Sequence, residues 1–120
     1  MAKKILVVDD EKGIRDLQKR VLSNHDVATA ENGQRALDYL DNHTIDLLII
    51  DCDMPELNGP SAIKALKEKG ANYPIVLITT YSAEEITEKH GKVPYDYHFT
   101  KEILQNPSNY RQKIEDILKQ

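Results

Sequence analysis

The sequence predicts an α/β protein with a doubly wound, five-stranded parallel sheet. One observation is that uninterrupted apolar runs recur at residues 5–8, 47–50 and 75–78. Such runs are typical of strands buried on both faces, as in a parallel sheet covered by helices. The other is that segments with helical spacing separate these runs. Alternation of strand and helix predicts a parallel sheet with right-handed crossovers.

The first half of the chain contains three strand–helix units. After the first strand, residues 13–24 carry an apolar helical face that includes Ile14 and Leu17. A short strand at 27–30 and a turn lead to a helix at 34–42. The third strand ends at Asp51, and a loop at 54–59 leads to a helix at 60–69 that ends before Gly70.

The second half predicts two more units. The fourth strand covers 75–79, and Ser82 with Glu85 has the spacing of a capping box at the next helix. That helix is polar apart from Ile86, so we expect it to be thinly packed and mobile. A fifth strand is predicted at 95–100, and a final amphipathic helix follows residues 107–108.

Composition limits the class of protein. The 120 residues suit one domain, expected to span 1–120 with no output domain inside it. A net charge of −4 argues against non-specific binding to nucleic acid or anionic membranes. No apolar stretch reaches the ~18 residues of a membrane span, and no signal peptide is evident. We therefore expect a soluble cytoplasmic protein. Its one cysteine, Cys52, is expected to be a half-buried reduced thiol, and its four histidines lack zinc-ligand spacing.

Polar residues follow the predicted strands at the point where each ends. Asp9 and Asp10 follow the first strand, Asp51 ends the third, Thr79 ends the fourth and Lys101 follows the fifth. In open parallel sheets, functional groups gather at the carboxyl ends of the strands. Clustered carboxylates repel one another, and a hard cation such as Mg²⁺ relieves that repulsion. The pattern predicts a site for Mg²⁺ and a phosphoryl group.

Within this site, Asp51 is the favoured nucleophile because its strand is expected to lie centrally in the sheet. Aspartate can form an aspartyl-phosphate intermediate. Phosphoryl transfer depends mostly on positioning and charge neutralisation. The Lys101 ammonium can neutralise charge, and the Thr79 hydroxyl can donate to a phosphoryl oxygen. Thr80 is the alternative hydroxyl, although its side chain is expected on the other face.

The chain resembles the receiver domains of bacterial two-component response regulators, the CheY-like family. The motifs that carry the resemblance are Lys-Ile-Leu-Val-Val-Asp-Asp-Glu at 4–11, Asp-Cys-Asp-Met-Pro at 51–55 with Gly59, Ile-Thr at 78–79 and Phe-Thr-Lys at 99–101. These motifs are spread over the whole chain. The resemblance implies a flavodoxin-like strand order of 2-1-3-4-5, the order for which flavodoxin and CheY are the standard examples.

The resemblance also implies roles for individual residues. Asp51 is implied as the phosphoacceptor, with Mg²⁺ held by Asp10, Asp51 and the backbone carbonyl of Asp53 and with Asp9 acting through water. The implied donor is a histidine kinase or a histidine phosphotransfer protein, and the implied reader is a downstream output domain or protein. Ile14 resembles a kinase-docking position, although its spacing equally suits a core residue.

Three positions depart from the family pattern and concern the output of the signal. Glu102 stands where proline usually follows the lysine, which predicts a trans Lys101–Glu102 bond because cis is costly before any other residue. Thr80 replaces a small residue, and His98 replaces the aromatic residue expected to act with Thr79 as a switch. Tyr81 is expected to shield the phosphoryl group from water.

Two other classes of protein share part of this pattern. The Asp-Cys-Asp sequence at 51–53 also resembles the nucleophile motif of haloacid-dehalogenase-type phosphatases. Those enzymes have the motif near the start of a longer chain and an acidic pair after it, whereas here the acidic pair Asp9-Asp10 precedes the motif and the chain has 120 residues. A flavodoxin-like cofactor protein would need a glycine- and hydroxyl-rich phosphate loop after the first strand. A phosphoacceptor switch, rather than a turnover enzyme, is the prediction.

Overall fold

The computed structural model describes residues 2–120, which form a five-stranded parallel sheet in the order β2-β1-β3-β4-β5. The strands are β1 (Lys4–Val8), β2 (Asp26–Ala30), β3 (Leu47–Asp51), β4 (Ile75–Thr79) and β5 (Tyr97–Thr100). The predicted fold class and strand order are confirmed. The order reverses between β1 and β3, and ligands of such sheets bind at this kind of switch point.

In residues 2–120, five α-helices cover both faces of the sheet, and the first four connect successive strands. They are α1 (Lys12–Val21), α2 (Gly33–Leu40), α3 (Gly59–Glu68), α4 (Ala83–His90) and α5 (Pro107–Leu118), with a 3₁₀ helix at Lys101–Gln105. No helix in residues 2–120 is long and apolar enough to cross a membrane.

The apolar runs supply two separate cores because alternate strand residues point to opposite faces of the sheet. On one face, side chains such as Val7 and Ile49 pack with α1 and α5. On the other face, Leu6 and Ile50 pack with α2, α3 and Ile86 of α4. The central strands β3 and β4 are therefore buried at every position.

Side-chain caps fix the starts of four helices. Asn32, Asn58 and Asn106 accept hydrogen bonds from backbone N–H groups in the first turns of α2, α3 and α5. The predicted capping box is present at α4, where Ser82 and Glu85 satisfy each other's backbone N–H groups. Ile86 is the buried residue of that helix, as its polar sequence predicts.

Some predicted boundaries were wrong by two or three residues. The first helix ends at Val21 rather than at residue 24, because the next residues tighten into a turn that delivers Asp26 opposite Lys4. The fifth strand begins at Tyr97 rather than at residue 95. The Tyr95 N–H donates to the Val93 carbonyl at 2.9 Å in a local turn, so Tyr95 is not in the ladder.

Candidate functional site

The carboxyl ends of β1, β3, β4 and β5 meet at one edge of the sheet. Val8 pairs with Ile50, so the residues that follow, Asp9 and Asp51, lie side by side. Thr79 pairs with Thr100 at the ends of β4 and β5, and Lys101 begins the 3₁₀ helix directly after them. The parallel register therefore brings together the polar residues that the sequence placed at strand ends.

The Lys101 ammonium lies between two buried carboxylates. Its Nζ is 3.1 Å from Asp9 Oδ2 and 3.3 Å from Asp51 Oδ2. Backbone N–H groups occupy the other carboxylate oxygens: Glu11 N–H donates to Asp9 Oδ1 and Cys52 N–H donates to Asp51 Oδ1, each at 2.9 Å. Both aspartates are thus held in fixed orientations with one cation between them.

The charges at this edge do not balance, and the pKa of Asp51 reflects that. Burial and the neighbouring charge of Asp9 raise the pKa of Asp51 from 3.8 to about 7, although Lys101 acts in the opposite direction. Burial also opposes the charged form of Lys101, but the carboxylates of Asp51 and Asp9 outweigh it and raise its pKa. The lysine is therefore protonated, and the carboxylates lack enough positive charge.

The residues present suit a hard divalent cation. Asp9, Asp10 and Asp51 each offer a carboxylate oxygen, and these oxygens lie within 4.8 Å of one another. Asp9 Oδ2 is enclosed and has the Lys101 ammonium, 3.1 Å away, as its partner, with no backbone N–H donating to it in residues 2–120. Mg²⁺ favours carboxylate oxygens together with water and phosphate oxygens. The exposed Asp10 leaves this oxygen set open to solvent on one side, where an incoming phosphoryl group can approach.

Of the two candidate hydroxyls, Thr79 is the one placed at this edge of the sheet. It is buried at the end of β4, whereas Thr80 is exposed. Its Oγ1 accepts a hydrogen bond from the Tyr81 N–H at 3.3 Å, and an accepting hydroxyl still carries a proton that it can donate. The β4 end thus supplies a donor whose direction the following turn controls.

The loop after β3 is packed tightly against the site. A methyl group added at Gly59 would lie 2.0 Å from the Asp51 carbonyl oxygen, so only glycine allows this approach. The Gly59 N–H donates to the Cys52 carbonyl at 2.9 Å. Nearby, Glu56 has a φ of 66°, and the Leu57 N–H donates to the Pro55 carbonyl across it in a strained γ-turn. The loop therefore holds the segment after Asp51 in one conformation.

Comparisons with known proteins agree with this geometry. The family described as Response regulator receiver domain matches residues 5–115. The chain belongs to the response-regulator receiver family. It is 37% identical over 125 residues to a chemotaxis protein CheY homolog of Campylobacter jejuni, a match covering 96% of this chain and 92% of that one.

A solved structure and longer relatives extend the comparison. The response regulator TrrA of Thermotoga maritima, in complex with Mg²⁺–BeF, superposes with a TM-score of 0.80 at 31% identity over 96% of this chain and 98% of that one. The Bacillus subtilis regulatory protein PhoP of alkaline phosphatase synthesis is 38% identical over 86 residues, which is 70% of this chain. The match covers only 36% of PhoP, and several other curated relatives are also matched over 24–40% of their length.

In this receiver domain the bond after the lysine is trans, as the replacement of proline by Glu102 predicts. Lys101 still reaches both carboxylates, because the chain turns at once into the 3₁₀ helix Lys101–Gln105. The sequence did not predict that residues 101–105 are helical.

Four side chains beside the site form a linked group around Tyr81 that the sequence did not reveal. The Tyr81 hydroxyl donates to Asp53 Oδ2 at 2.5 Å, and this acceptor raises the pKa of Tyr81 to about 12. The Lys89 ammonium lies 4.9 Å from the Tyr81 ring centroid. His98 Nε2 donates to the Tyr81 carbonyl at 3.0 Å. The predicted switch position His98 therefore contacts the same loop as Thr79, and Tyr81 closes over the side chain of Asp53.

Ile14 and Cys52 also lie near this edge of the sheet, and the structure shows how each is packed. Ile14 is half-buried and packs against the core on the α1 side, which is one of its two expected roles. Its neighbour Arg15 donates to the Asp9 carbonyl at 2.9 Å, a contact that the sequence did not predict. Cys52 is fully buried rather than half-buried, and burial with the charges of Asp53 and Asp51 raises the pKa of its thiol to about 11.

Proposed function

We propose that residues 1–120 form one receiver module that accepts a phosphoryl group on Asp51 in a Mg²⁺-dependent reaction. The observation that carries the proposal is the Lys101 ammonium, 3.1 Å from Asp9 and 3.3 Å from Asp51 at a buried, acidic strand edge. In receiver domains of this family such a switch operates between histidine kinases and downstream effectors.

In the proposed reaction a carboxylate oxygen of Asp51 attacks the phosphorus of a phosphohistidine. The phosphorus–nitrogen bond breaks as the new phosphorus–oxygen bond forms, and the leaving imidazole keeps the electron pair and takes up a proton. Asp10, Asp51 and the Asp53 carbonyl would hold Mg²⁺, with Asp9 acting through water, and the ion neutralises phosphoryl charge when bound. Lys101 and the Thr79 hydroxyl are positioned to contact the phosphoryl oxygens.

The donor we propose is a histidine kinase or a histidine phosphotransfer protein, docking near Ile14 on α1. The reader is an output domain or a separate protein. We also propose that the module acts in the cytoplasm, and that it does not turn over external phosphate esters as a phosphatase does.

Intact-mass measurement after incubation with Mg²⁺ and acetyl phosphate tests the acceptor. We expect one added phosphoryl group in the wild type and none in Asp51→Asn. Asp38→Asn, which changes an exposed carboxylate on α2, is the matched control and should be modified normally. A full adduct in Asp51→Asn would show that another residue is the acceptor. Hydrolysis of p-nitrophenyl phosphate at enzymatic rates would favour the phosphatase class instead.

We propose that the signal leaves through the face built by α4, β5 and α5. One side chain of α4, Ile86, is fully buried, and helices with few buried contacts move at low free-energy cost. Hydrogen exchange of residues 82–101 is expected to change when a phosphoryl analogue binds, and the change should be lost in Lys101→Ala because that ammonium contacts the added charge. A change confined to α2, or an unaltered response in Lys101→Ala, would contradict this route.

A further inference from the structure

A second set of donor atoms lies beside the carboxylate site. Cys52, Asp53 and His90 each offer one ligand atom, and these atoms lie within 4.8 Å of one another. Cys52 and Asp53 follow β3, whereas His90 is the last residue of α4. Cys52 packs in the core on the α3 and α4 side of the sheet, among residues that include Ile86. The set therefore lies between the end of β3 and the end of α4.

The spacing of these atoms suits a small cation. For three atoms no more than 4.8 Å apart, a point exists within about 2.8 Å of all three. Zinc bonds are about 2.0–2.3 Å long, so closure by less than an ångström for each ligand is sufficient. Thiolate, imidazole and carboxylate are the donor types that Zn²⁺ takes in proteins.

The His90 ring provides independent support for a ligand. Its Nε2 is enclosed and has no hydrogen-bond partner in the described part of the chain, although buried polar atoms are normally satisfied. The backbone that carries the ring is held in place, because Lys64 Nζ donates to the His90 carbonyl at 3.1 Å and the Gly91 N–H donates to the Thr87 carbonyl. The Tyr81 hydroxyl likewise orients the Asp53 carboxylate.

We propose that Cys52, Asp53 and His90 bind a borderline-soft divalent cation of the Zn²⁺ class, with water as the fourth ligand. The Cys52 thiol gives its proton to solvent as the sulfur–metal bond forms, and His90 coordinates as a neutral imidazole. The ion joins the end of β3 to the last turn of α4. This site is distinct in chemistry from the all-oxygen set at Asp9, Asp10 and Asp51, and it does not depend on the proposed phosphorylation.

Titration of the full chain with Co²⁺ tests the site directly. The chain has one cysteine, so a near-ultraviolet thiolate-to-cobalt charge-transfer band reports on Cys52 alone. We expect a band that saturates at one ion per chain, that disappears when Zn²⁺ displaces the cobalt, and that is absent in Cys52→Ala. In His90→Gln the dissociation constant for Co²⁺ should rise at least about tenfold, because mutation of residues that only contact a metal ligand already lowers metal affinity by about that factor.

Two variants serve as controls. Asp10→Ala removes an oxygen ligand of the proposed Mg²⁺ site and should keep the band. His43→Gln changes an exposed histidine stacked on Tyr39 and should also keep it. Zn²⁺ should in addition slow hydrogen exchange in Ala83–His90, because the ion anchors the end of that helix.

The absence of a charge-transfer band in the wild type at saturating Co²⁺ would overturn the proposal. An unchanged affinity in His90→Gln would overturn the assignment of its ligands. If Cys52→Ala does not fold, His90→Gln still decides the question, because this ring lies at the partly exposed end of α4 and its change leaves the core intact.

Discussion

Replacing Asp51 with asparagine is expected to stabilise the metal-free domain at neutral pH. In the folded protein, burial and Asp9 raise the pKa of this carboxyl from 3.8 to about 7. The folded state therefore holds the Asp51 proton more tightly than the unfolded chain does. The stability from that proton is complete below about pH 4 and is lost as the pH rises through about 7. Asparagine is neutral at every pH, so the variant does not lose this stability as the pH rises.

The size of the effect follows from the same shift. A change of one in the pKa corresponds to about 1.4 kcal/mol in the free energy of ionising the carboxyl. Raising the pKa of Asp51 from 3.8 to about 7 therefore makes its ionisation in the folded state about 4 kcal/mol less favourable. The Asp51 side chain is only 7% exposed, so bulk solvent screens little of this. Movement of the Lys101 ammonium and entry of water offset part of the cost. We expect asparagine to raise the free energy of unfolding by about 2 kcal/mol at about pH 7.5.

Urea unfolding in the presence of a chelator, followed by circular dichroism, measures the difference. The difference in unfolding free energy between Asp51→Asn and wild type should be smallest below about pH 4, widen between about pH 4 and 7, and level off above that. Asp38→Asn should show no such widening. Saturating Mg²⁺ should stabilise the wild type more than the variant and narrow the gap. A gap that is constant or shrinks with rising pH would refute the reasoning.

Two further predictions concern the metal and the loop. Asp10→Ala should weaken Mg²⁺ binding at least about tenfold in calorimetric titration, because a ligand is removed. The Mg²⁺ affinity of the wild type should fall as the pH drops, because protons compete for the carboxylates. Unchanged binding in Asp10→Ala would place the ion elsewhere. Gly59→Ala should lower the free energy of unfolding by about 3 kcal/mol in urea titration, since its methyl group meets backbone at 2.0 Å. Gly13→Ala, with open space in α1, should instead raise it by about 0.5 kcal/mol, and equal effects of the two would show that the loop relaxes.

The sequence predicted the sheet and its active edge because both depend on local patterns. Apolar runs ending in Asp51 and Thr79 define buried strands, and parallel pairing brings their ends together whatever lies between them. The Ser82 capping box is readable for the same reason, since its two partners are three residues apart.

Contacts between segments that are distant in the chain have no local sequence pattern that predicts them. His90 meets Cys52 only after α4 packs across the end of β3, and no ligand spacing in the sequence indicates it. Arg15 reaches the Asp9 carbonyl through a long side chain whose direction depends on packing. The 3₁₀ helix after Lys101 was missed because short helices of this kind are set by their surroundings rather than by propensity.

The complete burial of Cys52 gives this domain a built-in reporter of its own opening. A thiol reagent in solution cannot reach a side chain with no exposed surface, so it can react only during moments when the end of β3 separates from its neighbours. The labelling rate then measures how often that separation occurs, without any added probe. Comparing this rate with the rate of global unfolding would show whether the segment next to Asp51 opens alone or only when the whole sheet comes apart.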